Sequence, residues 1–195
     1  MQINVLGTGN VGSVLARRLA DLGHTVTTAN TSTPAEKSAR QAAEAELTVL
    51  AVPFGAVAEL PAEIRAALAD RIVIDATNPL AADYLSLTVG HTTSGGEQVA
   101  AALPGAKVVK AFNTAMAVTM ETGTLSGTPL LLPVAGDDRA AVATVVALGG
   151  ALGFDALDAG PLTNARYLEP AVELLIQLAF AQGHGANIGF ALARG

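Results

Sequence analysis

Short apolar runs alternate with stretches of helical periodicity along the whole chain. After the first run, apolar residues at 3.6-residue spacing predict a helix that Gly23 closes. Several later runs are continuous, as is typical of parallel strands covered on both faces. The pattern predicts strands at residues 3–6, 25–28, 47–52, 71–76, 107–112, 129–135 and 153–157. It predicts helices at residues 11–22, 33–44, 56–69, 95–103 and 137–148, and a long apolar helix from 163 towards the C-terminus that is interrupted at 183–185.

This alternation is typical of βαβ units around a parallel sheet. We therefore expect an α/β fold, a Rossmann-type doubly wound parallel sheet with a C-terminal apolar helical element. The length of 195 residues predicts a single NAD(P)-binding Rossmann domain, 1–195, with 163–195 as a helical extension. At the start of the second helix, Thr33, Pro34 and Glu36 have the spacing of a capping box.

The composition is unusually apolar for a chain of this length. Hydrophobic residues make up 51% and charged residues 14%, against about 25% charged residues in typical domains. Residues 174–193 contain no charged side chain, but Gln, Asn and Gly residues among them argue against a membrane span. We interpret this segment as a buried or subunit-contact helix.

Charge and cysteine content exclude several classes of function. The net charge is −6, with no cluster of basic residues, which makes nucleic acid and anionic membranes improbable partners. The absence of cysteine excludes disulfides, thiolate nucleophiles and cysteine metal sites, and the three histidines are scattered. We therefore predict no metal site. The N-terminus lacks the pattern of a secretory signal, so we expect a cytoplasmic protein.

A glycine-rich motif follows the first strand and opens directly into a helix. It matches G-x-G-x-x-G and consists of Gly7, Thr8, Gly9, Asn10, Val11 and Gly12. In such a motif the first glycine allows a tight turn, the second lets the backbone approach a pyrophosphate, and the third lets the helix pack on the strand. Its position in an alternating chain predicts dinucleotide binding rather than an ordinary glycine-rich turn.

The end of the second strand bears on which dinucleotide binds. An acid there would bind the ribose 2′-hydroxyl and an arginine would accommodate a 2′-phosphate, but the chain has neither. Asn30 and Thr31 offer short polar groups, and Lys37 follows one to two turns later. Because no acid repels a 2′-phosphate, NADP is favoured over NAD, which stays possible. These residues also suit a helix cap, and they can serve both purposes.

Other candidates lie where predicted strands end, the edge at which open α/β sheets bind ligands. Val52, Pro53 and Phe54 follow the third strand, and Asn78 follows the fourth. We expect them on the ribose and nicotinamide side of the cleft, although strand termination and turn formation also explain them. Lys110 is the one charge within residues 108–112, and it either faces the cleft or lies at a strand edge in solvent.

Residues for acid–base catalysis are not evident. None of His24, His91 and His184 has a carboxylate at triad or metal spacing, and the apolar C-terminal segment has no lysine. We therefore predict no catalytic side chain and a reaction that needs little proton transfer from the protein.

Taken together, these motifs resemble the family of coenzyme F420-dependent NADP oxidoreductases. The resemblance covers nearly the whole chain and is most specific in DAGPL at 158–162 and NARYLEP at 164–170. It also rests on residues 7–12, 76–79, 93–97, 110–114 and 135–138. It implies hydride transfer between NADPH and a deazaflavin, coenzyme F420, usually in a homodimer. Such a transfer between two flat rings requires alignment and exclusion of water more than a general base.

The resemblance also implies roles for individual residues. Thr8, Gly9, Asn10 and Val11 would hold the pyrophosphate, and Asn30 and Thr31 would approach the 2′-phosphate. Phe54 would lie on the adenosine-ribose side and Ala117 at the nicotinamide end. The chain departs from the family at Thr31 and Ser32, where members that bind the 2′-phosphate strongly tend to have an arginine.

Two other functions fit the same residues. One is NADPH-dependent reduction of a small imine or carbonyl in the apolar pocket. The other is a dinucleotide-sensing module without catalysis, which the scarcity of acid–base groups allows.

Overall fold

The computed structural model describes residues 1–195 and contains a seven-stranded sheet. Its strands are β1 (Gln2–Leu6), β2 (Thr25–Ala29), β3 (Leu47–Leu50), β4 (Ile72–Asp75), β5 (Lys107–Lys110), β8 (Leu131–Gly136) and β9 (Asp155–Asp158). A separate hairpin pairs β6 (Thr124–Leu125) with β7 (Thr128–Pro129). The helices are α1 (Asn10–Asp21), α2 (Ala35–Glu44), α3 (Phe54–Ala58), α4 (Ala62–Ala67), α5 (Gly95–Ala102), α6 (Arg139–Ala151) and α7 (Ala165–Ile176).

The strand order is β2-β1-β3-β4-β5-β8-β9, and every pair is parallel except β5 and β8. The predicted Rossmann-type α/β fold is confirmed, with the difference that one junction is antiparallel. The chain leaves β1 towards β2 and then crosses to β3 on the other side. The order therefore reverses between β1 and β3, where doubly wound sheets bind ligands beyond the carboxyl ends of the strands.

Helices cover both faces of the sheet, which explains the continuous apolar strands. On one face, Leu15 and Leu19 of α1 and Val145 of α6 pack in a core cluster of 22 buried residues. On the other face, Ile64 of α4 and Val99 of α5 belong to a cluster of 12.

Two predictions around the second and third helices are wrong. Thr33 does not cap α2, because its hydroxyl accepts the backbone N–H of Asn30 at 3.1 Å and the helix has no side-chain cap. The helix predicted at 56–69 is divided into α3 and α4, because Pro61 takes an extended conformation (ψ 141°) immediately before α4.

The C-terminal helix is shorter than predicted. After α7 one π-helical turn spans Gln177–Ala181, and residues 182–195 contain no regular secondary structure. Gly183 and Gly185 have positive φ angles of 75° and 76°, which turn the chain away from the helix axis. The last segment then packs on α7 and on the start of β8, where the carbonyl of Phe190 accepts the N–H of Leu131 at 2.8 Å.

None of the helices combines the length with the apolar character that a membrane-spanning segment requires.

Candidate functional site

The candidate site is a cleft at the carboxyl ends of the parallel strands, made of three adjoining cavities. The first, of about 630 Å³, lies around the glycine motif and the end of β2. The second, of about 410 Å³, shares Ala51, Val52 and Pro53 with it. The third, of about 880 Å³, shares Val11, Leu80 and Tyr84 with the second. The cleft is thus continuous, and each part has the size of a typical small-molecule pocket.

The three glycines of the motif have different surroundings. At Gly7 (φ 104°), a Cβ would lie 2.2 Å from the carbonyl oxygen of Ala51, and at Gly12 it would lie 2.0 Å from the carbonyl oxygen of Gly7. These two glycines therefore allow the loop, β3 and α1 to pack closely. Gly9 has no atom within 4 Å of such a Cβ and lines the first cavity, so the space in front of it is free for a ligand.

Backbone donors are available at the same place. The N–H groups of Thr8, Gly9, Asn10 and Val11 donate to no backbone or side-chain acceptor, since α1 makes its first such bond from Ser13 to Gly9. Unpaired N–H groups at a helix N-terminus attract anions, helped by the helix dipole. The loop therefore has the donors that an anionic group such as a pyrophosphate requires.

The end of β2 forms one side of the first cavity. The side-chain amide of Asn30 donates to the hydroxyl of Thr8 at 3.1 Å and accepts the N–H of Ser32 at 2.9 Å. Thr31 lines the cavity, whereas Lys37 is exposed and does not. The one charged side chain among the lining residues is Glu59, so the structure brings no cation to this cavity.

Phe54 and Asn78 both line the second cavity, and Phe54 does not border the first. Asn78 pairs with Asn113, a residue that was not predicted from the sequence as part of the site. The Asn78 amide donates to the Asn113 carbonyl, and the Asn113 amide donates to the Asn78 side-chain oxygen, both at 3.1 Å. The adjacent Phe112 is buried with a φ of 64°, a conformation that bulky residues rarely adopt and that often marks functional sites.

Mostly apolar residues form the third cavity. Asn10 and Val11 of the glycine motif border it, and so does Ala117. Tyr84, Val118 and Phe180 also line it and are at least half exposed. None of the three was predicted from the sequence as a site residue.

Lys110 takes neither of the positions considered from the sequence. It is fully buried, and its ammonium contacts Asp75 Oδ2 at 2.9 Å and Glu169 Oε1 at 2.9 Å. Asp75 and Lys110 are adjacent across β4 and β5. The available signal for this pair was one charge inside each of two apolar runs, Asp75 within residues 72–76 and Lys110 within residues 108–112, whereas Glu169 lies far along the chain.

A second ion pair joins α5 to α7 nearer the surface. Arg166 donates to both carboxylate oxygens of Glu97, at 2.8 and 2.6 Å. These hydrogen bonds hold the pKa of Glu97 below its ordinary value, and the carboxylate raises the pKa of Arg166.

The structure offers no histidine to the cleft and no metal centre. None of the three histidines lines any of the three cavities. No group of three histidine or acidic side chains has the geometry to hold a metal ion.

The fold and the glycine loop at its switch point define a Rossmann-type dinucleotide-binding protein. Residues 2–79 match the family model "NADP oxidoreductase coenzyme F420-dependent". The F420-dependent NADP reductase of Methanothermobacter marburgensis is 32% identical over 212 residues, which cover 91% of this chain and 92% of that protein. The chain belongs to the family of coenzyme F420-dependent NADP oxidoreductases, which are NADP-dependent oxidoreductases.

Two further relatives differ in extent. A crystal structure of a candidate F420-dependent NADP-reductase from Arthrobacter sp. FB24 superimposes with a TM-score of 0.88, at 36% identity and full coverage of both chains. The rat metalloreductase STEAP3 is 36% identical over 102 residues, but these are 52% of this chain and only 20% of that protein.

Proposed function

We propose that the protein transfers a hydride between NADP(H) and a deazaflavin of the coenzyme F420 type. The observation that carries this proposal is the continuous cleft, in which a cradle of free backbone N–H groups leads through the second cavity to a large apolar cavity. Family membership supports both the cofactor and the acceptor.

The residues present fit a dinucleotide. Thr8, Gly9, Asn10 and Val11 would bind the pyrophosphate through their free N–H groups. Asn30 and Thr31 would face a 2′-phosphate through neutral hydrogen bonds, since no cation lines the first cavity. Val52 and Pro53 would support the middle of the cofactor, where the first two cavities meet.

The remaining residues would orient the reacting rings. Bound NADPH supplies the hydride. Phe54 and Asn78 would hold the nicotinamide end in the second cavity, and Ala117 would lie beside it in the third. The apolar wall of the third cavity would align a flat acceptor and exclude water, which is what hydride transfer requires of the protein. No side chain is assigned a proton-transfer role.

The test mixes the purified protein with NADPH and oxidised coenzyme F420 and follows both absorbance bands. We expect stoichiometric reduction of the deazaflavin, faster with NADPH than with NADH. Absence of turnover with either nicotinamide would contradict the proposal. Turnover with a panel of small imines and carbonyls instead would indicate the alternative reductase, and tight NADP binding without any acceptor would indicate a sensing module.

We also propose that the protein acts as a homodimer whose second copy covers the third cavity. Tyr84 and Phe180 at this cavity are 68% and 61% exposed, and Leu174 on α7 is 54% exposed. So much exposed apolar surface in one region is characteristic of an interaction site. Light scattering should give twice the chain mass, and Leu174→Glu should give the monomer. A monomeric parent protein would refute the dimer.

A further inference from the structure

Three charged side chains meet in the interior between β4, β5 and α7, and we refer to Asp75, Lys110 and Glu169 as the buried triad. Each is at most 1% exposed. The Lys110 ammonium donates to Asp75 Oδ2 at 2.9 Å and to the Thr77 carbonyl oxygen at 2.7 Å. It also forms an ion pair with Glu169 Oε1 at 2.9 Å. Three oxygen atoms therefore lie within 2.9 Å of the ammonium nitrogen.

Glu169 also binds the start of α5. Its Oε2 accepts the N–H of Gly95 at 2.8 Å, and its Oε1 accepts the N–H of Gly96 at 2.9 Å. A Cβ on Gly95 would lie 3.1 Å from Glu169 Oε1, so the glycine allows this close approach. The triad holds two carboxylates and one ammonium. The N-terminus of α5 stabilises the surplus negative charge.

The triad connects two walls of the cleft. Asp75 Oδ1 accepts both the N–H and the hydroxyl of Thr77, at 2.9 and 2.7 Å, and Thr77 lines the second cavity. Glu169 lies on α7, which leads to Ile176 and Phe180 in the wall of the third cavity. The hydrogen bonds of Asp75 to Thr77 and Lys110, together with the ion pair between Lys110 and Glu169, thus connect the second cavity to the helix that supports the third.

Stability alone is a weak explanation for such a group. Apolar side chains of similar volume often replace a buried ion cluster with no loss of stability, because desolvation of the charges offsets their attraction. Directional bonds, in contrast, fix the relative position of the elements that they join.

We propose that Lys110 and Glu169 are positioning residues that fix the third cavity relative to the second, and hence the acceptor relative to the nicotinamide. This inference rests on the proposed function, since it assigns the two rings to these cavities. A displacement of about 1 Å between reacting atoms can reduce the rate about hundredfold, so a rigid connection between the walls has kinetic value.

The experiment compares Glu169→Gln with Glu97→Gln. Both substitutions remove one carboxylate from the contact between α5 and α7, but only Glu169 connects to Thr77. At residue 169 the amide places an NH2 group against a backbone N–H or the ammonium, while Asp75 and Lys110 remain as a neutral pair. Asp75→Asn, which leaves Lys110 and Glu169 paired, is the second variant if Glu169→Gln fails to fold.

We expect kcat for F420 reduction to fall about tenfold or more in Glu169→Gln, while the Kd for NADP stays within about twofold. The kinetic isotope effect with NADPH deuterated at the transferred position should rise, because hydride transfer becomes more rate-limiting. Glu97→Gln should leave both quantities unchanged. A merely structural role would lower Tm in both variants and alter neither kcat nor the isotope effect well below Tm.

A second measurement needs no acceptor. Acrylamide quenching of the fluorescence of bound NADPH reports how exposed the nicotinamide is, and it should increase in Glu169→Gln but not in Glu97→Gln. If the parent protein does not reduce F420, the proposed function fails while this measurement still decides the positioning role. Equal behaviour of the two variants in quenching, or in kcat and isotope effect, would overturn the inference.

Discussion

Gly9→Val should abolish useful cofactor binding while leaving the fold intact. The backbone of Gly9, with φ −74° and ψ −167°, is accessible to β-branched residues. The Cβ position has no neighbour within 4 Å and faces the first cavity. The valine side chain would therefore fill the space in which the pyrophosphate is proposed to bind, without displacing protein atoms.

The expected loss follows from the hydrogen bonds concerned. Each hydrogen bond to a charged group contributes about 1.5 to 3 kcal/mol, so the loss of one or two weakens binding by about 3 kcal/mol. This corresponds to a roughly 100-fold higher Kd for NADP. Valine is a poorer N-cap than glycine, which costs about 1 kcal/mol of stability, a decrease in Tm of about 2 to 4 °C.

Isothermal calorimetry would measure the Kd for NADP, and a thermal melt without cofactor would measure folding. Gly150→Val is the matched control, because Gly150 is exposed on α6 and also has no atom within 4 Å of a Cβ. It should bind NADP like the parent. In contrast to Gly9→Val, Gly12→Ala should affect folding, and it should lower the free energy of unfolding by about 3 kcal/mol, since its Cβ overlaps the Gly7 carbonyl. A folded Gly9→Val protein with unchanged affinity would refute the assignment of the pyrophosphate.

Three further outcomes test other parts of the structure. Lys110→Met should destabilise the protein by about 3 to 5 kcal/mol in urea unfolding, because it leaves two carboxylates buried without a cation. Lys107→Met, which removes a surface ion pair with Asp138, should change the stability little. Equal effects of the two substitutions would contradict the burial of the Lys110 ammonium. The pKa of Glu97 is lowered in the folded protein, so its stabilising effect is complete above the ordinary value of 4.5 and is lost as the pH falls through the lower folded value. The difference in Tm between the parent and Glu97→Gln should thus be constant near neutral pH and should shrink below about pH 4.5. A Tm difference that grows in acid would contradict this prediction. Thr31→Arg should tighten NADP binding about tenfold in calorimetry and leave NAD unchanged; equal gains for both would show that residue 31 does not face the 2′-phosphate.

Local sequence signals predicted the elements that local physics determines. The glycine motif, the continuous apolar strands and the alternation of strands and helices needed no knowledge of distant contacts. They sufficed for the fold and for the location of the cleft. The antiparallel direction of β8 was not predictable in this way, because an apolar run has no direction.

The wrong predictions involve competition between local and distant partners. Thr33 fits a capping box, but its hydroxyl accepts the backbone N–H of Asn30 instead of capping α2. The apolar segment after Gly185 fits a helix, but Phe190 finds a backbone partner in Leu131. Lys110 resembles a solvent-exposed lysine until Glu169, far along the chain, is placed beside it.

The first and third cavities of the cleft are formed by largely different stretches of the chain. Every residue that lines the first cavity lies between Leu6 and Ile64. The third cavity takes three residues from α1 or its start, and all the others from Leu80 to Ala186. Under the proposed function, substitutions that alter the choice of acceptor can therefore accumulate in the second stretch while the residues of the first cavity, which would bind the nucleotide, stay unchanged. Substitutions in one part of the chain would then change the reaction without changing the site of the dinucleotide.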